Sequence, residues 1–140
     1  HVSSRRQRQM CIRDRLWVAW REIGDAGWAE MVEKYCSLSE YLESLVDASD
    51  CLVMMSGREW SNICFRYEAG DINLNELNTE IRNRMMAEGI HLVSRSNIGD
   101  DVVIRAVIAN PLIDESVLQS LISTIERHGH EVINQIPANI

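Results

Sequence analysis

The sequence VVIRAVIA at residues 102–109 is the stretch that decides the fold, because β-branched and small apolar side chains fill nearly every position. This composition predicts a β-strand. Alternation along a strand sends Val103, Arg105 and Val107 to the same face. Arg105 therefore brings a positive charge into the middle of an apolar strand, where it needs an anionic partner.

Two kinds of partner would satisfy Arg105. One is an acidic side chain of the same chain, which would form an internal ion pair. The other is the carboxylate of a ligand, which the planar guanidinium group can bind through two parallel hydrogen bonds. Removing one partner of a buried ion pair costs about 3–5 kcal/mol. The sequence predicts that Arg105 is paired and leaves both partners open.

The residues around this strand predict three further strands and three helical regions. Asn73 and Glu76 form a capping box that begins the middle helix, and Gly89 ends it. Asp114 caps the last helix, which is expected to end at Gly129. The further strands are predicted at residues 51–55, 62–67 and 90–94, and helical spacing covers residues 16–47 with an interruption at 24–27.

The predicted order is α-β-β-α-β-β-α, with the two N-terminal helical pieces counted as one. Short connections between the strands favour antiparallel pairing. Each amphipathic helix must bury one apolar face, and the sheet offers a surface on which to do so. The sequence therefore predicts an α+β fold in which helices cover an antiparallel sheet.

Length and composition exclude several classes of protein. The 140 residues suffice for one domain, and 14 basic against 21 acidic residues give a formal net charge of -7. This acidic balance argues against a nucleic-acid or anionic-membrane partner, because phosphates favour basic surfaces. No apolar run approaches the roughly 20 residues of a transmembrane helix.

The cysteines and histidines indicate neither a disulfide framework nor a metal site. The four cysteines form no CxxC pair and read as reduced thiols in a cytoplasmic setting. The histidines are not spaced as metal ligands and are expected in surface or capping roles, with His128 near the negative end of its helix. These residues are Cys11, Cys36, Cys51 and Cys64, and His91, His128 and His130.

The first fifteen residues have a character of their own. Five of the 14 basic residues lie here against one acid. The segment RRQRQMCIRD at residues 5–14 is the translation of CGT CGG CAG CGT CAG ATG TGT ATA AGA GAC, which resembles the transposon-end adapter of sequencing libraries. We expect residues 1–15 to be a non-native, disordered segment, with a disordered basic arm as the alternative. Residues 16–140 then carry nine basic and 20 acidic residues, a net charge of -11.

Five stretches of residues 16–140 together resemble one enzyme family. In the order and at the spacing found here, they are similar to segments of the group II pyridoxal-phosphate (PLP)-dependent amino-acid decarboxylases, which include glutamate, cysteine-sulfinate, aromatic amino-acid and diaminobutyrate decarboxylases. The stretches are LWVAWREIGDAGW at 16–28, NICFRY at 62–67, LNTEIR at 77–82, IRAVIANP at 104–111 and IERHG at 125–129.

The resemblance implies the C-terminal small domain of a fold type I PLP enzyme that decarboxylates an amino acid and is usually a homodimer. Residues 16–47 would be the helical connection from a large domain, and residues 48–140 the small α+β domain. In the family, the arginine at the position of Arg105 holds the substrate carboxylate. The cofactor takes up the electrons left when carbon dioxide departs.

The family's catalytic and cofactor-binding residues have no counterpart in this sequence. Its Schiff-base lysine, the aspartate at the pyridine nitrogen and the phosphate cup would all precede Leu16. The single lysine, Lys34, is expected on a solvated helix face. The chain alone is therefore expected to be inactive. The alternatives are a stand-alone acidic α+β binding or regulatory module, and a fold type I enzyme of another reaction type, an aminotransferase or lyase.

Overall fold

The computed structural model describes residues 2–70 and 72–135, which form three helices and a four-stranded sheet. In chain order these are α1 (Val2–Asp47), β1 (Leu52–Met54), β2 (Asn62–Tyr67), α2 (Leu74–Glu88), β3 (Ser94–Ile98), β4 (Asp101–Val107) and α3 (Glu115–Gln135). The predicted order α-β-β-α-β-β-α and the α+β class are both confirmed. Across the described residues, no helix has the length and apolar character to cross a membrane.

The sheet has the strand order β1-β2-β4-β3, and every neighbouring pair is antiparallel. Strand β4, which contains the stretch that decides the fold, lies in the interior of the sheet. Its Arg105 is opposite Cys64 of β2 on one side and Ser94 of β3 on the other. The turn between β3 and β4 contains Gly99, with φ 60°, as the sequence predicts. Arg105 is thus held between two hydrogen-bonded neighbours.

One face of the sheet, together with the helices, forms the core. Ile63, Phe65 and Tyr67 of β2 share this face, as predicted, and all three are buried. Ile104 and Ala106 lie opposite Phe65 and Ile63 in β4 and extend the same apolar surface. The helices cover it with a stripe of buried side chains: Leu77, Ile81 and Met85 from α2, and Leu118, Leu121, Ile122 and Ile125 from α3.

Asn78 attaches helix α2 to the end of β2. Its amide accepts a hydrogen bond from the Tyr67 backbone N–H (2.8 Å) and donates to the Tyr67 carbonyl oxygen (2.9 Å). The amide therefore takes the place of a neighbouring strand. Because Asn78 is fully buried, these bonds satisfy polar groups that have no access to water.

The predicted caps of α2 are both present. The Asn73 side chain accepts hydrogen bonds from the backbone N–H groups of Asn75 and Glu76, at 3.2 and 3.3 Å. Gly89 ends the helix in the left-handed conformation, with φ 74°. The capping signals in the sequence therefore locate the ends of this helix correctly.

The third strand and the end of the last helix differ from the sequence prediction. The strand was expected at residues 90–94 and is found at Ser94–Ile98, because the outer position in the sheet accepts a polar sequence. Helix α3 continues through Gly129 to Gln135. Gly129 is buried against Tyr67, and a Cβ atom at this position would overlap the Tyr67 ring. This glycine permits close packing and does not end the helix.

The chain divides into two units within residues 1–34 and 35–140. The second unit includes the last turns of α1, which contribute four core side chains: Tyr35, Leu38, Leu42 and Val46. In the first, Gly24 interrupts α1 with φ 72° and ψ 170°, as predicted. Trp20 stacks on Trp28 with ring centroids 5.3 Å apart, and its indole N–H donates to Asp25.

The N-terminal segment that the sequence sets apart is described from Val2 onward as part of helix α1. Helix α1 begins at Val2, so residues 2–15 are helical. Arginine, glutamine and methionine favour the helical conformation, and no glycine or proline occurs before Gly24. The adapter origin of residues 1–15 and the domain division at 16–47 and 48–140 stay predictions.

Candidate functional site

The candidate site is the face of the sheet opposite the apolar core. Side chains alternate along each strand, so the face that carries Arg105 also carries Cys64 and Asn62 of β2. We call this surface the arginine face. Val103 and Arg66 belong to it as well. It combines two arginines with an amide and a thiol, whereas the core face is apolar.

Arg105 has no ionic partner on this face among the residues that the structure describes. Of the ion pairs among residues 2–70 and 72–135, none includes Arg105. Its Nε atom is buried and has no hydrogen-bond partner there. The residues directly opposite, Cys64 and Ser94, carry no charge. The internal ion pair that the sequence left open is therefore not found in this part of the chain.

Arg66 shows what an acidic neighbour does on the same face. Its Nε and Nη2 atoms both donate to Glu68 Oε1, at 3.1 and 2.7 Å. Its Nη1 atom lies 2.8 Å from Asp101. The hydrogen bond with Glu68 is the main cause that raises the pKa of Arg66, and the charge of Asp101 adds to it. This arginine is fully engaged with the protein and is not free to bind a ligand.

Asn62 is a polar residue of the arginine face that the sequence prediction missed. Its Oδ1 atom is buried without a hydrogen-bond partner in the described part of the chain. Its backbone is fixed, because its N–H and carbonyl groups both bond to Glu59, at 3.0 and 3.3 Å. The only signal in the sequence is its place at the start of NICFRY, two residues before the partner of Arg105.

Among the described residues, the histidines form no group that resembles a catalytic site. The surface or capping role expected for His128 is wrong, because its side chain is buried within α3. Its Nε2 atom lies 2.9 Å from Glu88, and its Nδ1 atom lies 3.2 Å from Glu131. The hydrogen bond with His128 is the main cause that lowers the pKa of both glutamates. His128 therefore connects α3 to the end of α2.

The described residues do not fit a PLP-binding site. The single lysine, Lys34, is exposed on α1, as predicted. A groove along α2 contains Glu76 and Glu80 and, among its described lining residues, no lysine or arginine. Such a groove would repel the cofactor's phosphate. We therefore place no catalytic step on a cofactor held by these residues.

Comparison with known proteins identifies similar decarboxylases. The chain is 24% identical over 130 residues to an acidic amino acid decarboxylase of Xenopus tropicalis, a match that covers 84% of this chain and 25% of the relative. No protein-family model matches the chain. The chain thus spans about a quarter of the length of this curated relative.

Two solved structures share the fold. One is the glutamate decarboxylase domain of a diaminobutyrate-pyruvate transaminase and L-2,4-diaminobutyrate decarboxylase from Vibrio parahaemolyticus, with TM-score 0.76, 19% identity and coverage of 83% of this chain and 25% of that one. The other is Oryza sativa TDC with PLP and tryptamine, with TM-score 0.76, 23% identity and coverage of 84% and 26%. The chain therefore shares its fold with part of each of these two structures, and the similarity to PLP-dependent decarboxylases expected from the sequence is confirmed.

Proposed function

We propose that this chain is the C-terminal part of a PLP-dependent amino-acid decarboxylase and contributes Arg105 as the group that binds the substrate carboxylate. The observation that carries the proposal is a guanidinium group held in an interior strand without an acidic partner in the described residues. An arginine in this position is suited to bind the anionic group of a ligand. The decarboxylase relative supports an amino acid as the source of that anion.

The chemical role of Arg105 follows from its shape and its support. A guanidinium group binds a carboxylate through two parallel hydrogen bonds, which fix both the position and the plane of the carboxylate. Strand β4 is paired on both sides, so the backbone that carries Arg105 is rigid. When the carboxylate is held rigidly, the bond between it and the α-carbon, which breaks in decarboxylation, has one fixed direction. Such orientation lowers the activation barrier of decarboxylation. Arg105 would thereby select and align the substrate.

The cofactor and the remaining catalytic groups would come from a part of the enzyme outside this chain. The PLP in the structure of the Oryza sativa relative supports PLP as the cofactor of the complete enzyme. The Schiff-base lysine would be supplied from the same part, since Lys34 is exposed on a helix. We expect added PLP to show no lysine-bound absorbance band with the 140-residue chain, and carbon dioxide release to be absent.

We also propose that the complete enzyme is a cytoplasmic homodimer. The thiols of Cys36, Cys51 and Cys64 are free, which suits a reducing compartment. The dimer is supported by the resemblance to the decarboxylases alone. Light scattering of the complete enzyme measures its mass directly, and a monomer would refute this part of the proposal.

The decisive experiment is recovery of the gene that encodes residues 16–140. We expect an open reading frame that continues upstream of Leu16 and encodes a lysine preceded by histidine. The purified product should release carbon dioxide from an amino acid in the presence of PLP. A start codon and ribosome-binding site directly before Leu16 would instead support the stand-alone binding module. An active product that transfers an amino group would support another fold type I reaction.

A further inference from the structure

Two buried polar atoms without partners occur together on the arginine face. In the described parts of the chain, four side-chain atoms have this status, in Trp28, Asn62, Arg82 and Arg105. Of these residues, only Asn62 and Arg105 belong to the sheet. The Asn62 Oδ1 atom accepts a hydrogen bond and the Arg105 Nε–H group donates one. The two unsatisfied groups are therefore chemically complementary.

The register of the sheet makes these two residues diagonal neighbours. Cys64 is opposite Arg105, and Asn62 is opposite Val107, so Asn62 lies two residues from the direct partner of Arg105. Diagonal neighbours on one face are about 7–8 Å apart at Cα, a separation that a long side chain can bridge. Arg66 is the diagonal neighbour on the other side, but Glu68 and Asp101 already bind it.

We propose that Asn62 is a positioning residue for Arg105, a role that rests on the carboxylate-binding function proposed above. The Asn62 Oδ1 atom accepts the Arg105 Nε–H when the side chains take up their ligand-binding arrangement. The terminal nitrogens Nη1 and Nη2 then point together toward the substrate and form the pair that binds its carboxylate.

The orientation of a guanidinium group decides which of its nitrogens meet the carboxylate. Arg66 uses the edge of its guanidinium group that carries Nε and Nη2, and both atoms donate to one oxygen of Glu68, Oε1. A hydrogen bond from the Arg105 Nε–H to Asn62 would occupy the corresponding edge of Arg105. Its two terminal nitrogens, Nη1 and Nη2, would then remain for the carboxylate. The Asn62 backbone is bonded twice to Glu59, so the amide starts from a fixed point and loses little entropy when it binds.

The kinetic test compares two ligands of the complete enzyme, the amino-acid substrate and its amine product. The amine lacks the carboxylate, so a residue that acts through Arg105 should not affect its inhibition constant. We expect Asn62→Leu to raise the KM for the substrate about tenfold or more, because one hydrogen bond to a charged group is lost. The inhibition constant of the amine should stay within about twofold. Equal effects on both ligands, or no effect on KM, would overturn the proposal.

Two further variants keep the test valid if leucine disturbs folding. Asn62→Asp places a carboxylate beside Arg105, and we expect a larger rise in KM because the new acid competes with the substrate. Ser94→Ala is the matched control, since Ser94 lies directly opposite Arg105 on the neighbouring strand β3 and its side chain is exposed. It should leave KM unchanged. A rise in KM for Ser94→Ala as large as that for Asn62→Leu would contradict a specific role of Asn62.

A second measurement needs neither cofactor nor turnover. In the ¹⁵N–¹H NMR spectrum of the 140-residue chain with a carboxylate ligand such as acetate added, the Arg105 Nε–H signal is identified by its loss in Arg105→Lys. We expect Asn62→Leu to shift this signal and accelerate its exchange with water. An unchanged signal would refute the hydrogen bond. If Arg105→Ala leaves substrate binding intact in the complete enzyme, the proposed function fails, whereas a failure of the Asn62 variants alone rejects only the positioning role.

Discussion

Arg66 and Arg105 lie on the same face of one sheet, yet among the residues that the structure describes only Arg66 is paired with acidic side chains. The acids that bind Arg66 lie at strand ends, with Glu68 directly after β2 and Asp101 at the start of β4. Arg105 is flanked by Cys64 and Ser94 in the interior of the sheet. The difference indicates that position within the strand, more than residue type, decides whether an arginine on this face meets an acidic side chain of the described residues.

The largest expected effect tests this division in the complete enzyme. We expect Arg105→Ala to reduce kcat/KM roughly 150- to 4,000-fold, because truncating one partner of a buried charge pair costs about 3–5 kcal/mol. Arg66→Ala is the matched control and should reduce kcat/KM less than about tenfold. Carbon dioxide release at varied substrate concentration measures both. Comparable losses for the two variants would abolish the distinction between the arginines.

The next effect concerns the strand that carries Arg66. We expect Gly129→Ala to destabilise the 140-residue chain by about 1–3 kcal/mol, because the added methyl group overlaps the Tyr67 ring at the end of β2. Gly57→Ala is the control, since a Cβ atom there meets nothing within 4 Å. Urea unfolding monitored by circular dichroism measures both. If Gly129→Ala is as stable as Gly57→Ala, the Tyr67 ring moves aside for the added methyl group at little cost in free energy, and the prediction is wrong.

A smaller effect is expected on stability, where the free energy of unfolding should depend on Arg66 but not on Arg105. We expect Arg66→Leu to destabilise the 140-residue chain by about 1 kcal/mol, since it removes a partly exposed ion pair and leaves Glu68 and Asp101 without it. Arg105→Leu should be neutral or stabilising, because an unpaired charge is replaced by an apolar side chain. Urea midpoints at constant slope give the comparison. A destabilised Arg105→Leu variant would reveal an internal partner for Arg105.

The smallest effect involves the paired charges of the helical layer. The hydrogen bonds with His128 and Arg127 hold the pKa of Glu88 below its ordinary value of 4.5. A group whose pKa is lower in the folded state stabilises the fold above the unfolded value, and this contribution disappears as the pH falls through the folded value. Thermal unfolding between pH 3 and pH 7 should show a shallower acid loss for Glu88→Gln. Identical pH profiles would exclude a contribution from Glu88.

The sequence predicts the elements well where local signals and tertiary structure agree. Helix α2 has a cap at each end, and β4 has the composition of an interior strand, so both were placed correctly. The sequence places the third strand too early, because residues 90–93 are more apolar than the strand found at Ser94–Ile98. Gly129 was misread because its role depends on Tyr67, which lies far away in sequence.

The candidate site was predictable only in part, for a related physical reason. A charge at Arg105 within an apolar strand is visible in one segment of sequence. The lack of an acidic partner for Arg105 among the described residues is a property of the folded sheet, since it depends on which strands lie beside β4. The same holds for Asn62, whose unsatisfied oxygen atom has no counterpart in any local pattern. His128 was misassigned because its partner Glu88 comes from another helix.

The two outer strands of the sheet have a consequence for how this protein behaves at high concentration. An outer strand exposes unpaired backbone groups that can recruit a strand from another molecule and start aggregation. Here β1 is only three residues long, and β3 has the polar sequence Ser94-Arg95-Ser96-Asn97 before its last residue. Neither offers a long apolar template. The polar β3 at Ser94–Ile98 therefore protects the sheet edge from pairing with another molecule. An apolar outer strand at residues 90–93 would have favoured such pairing.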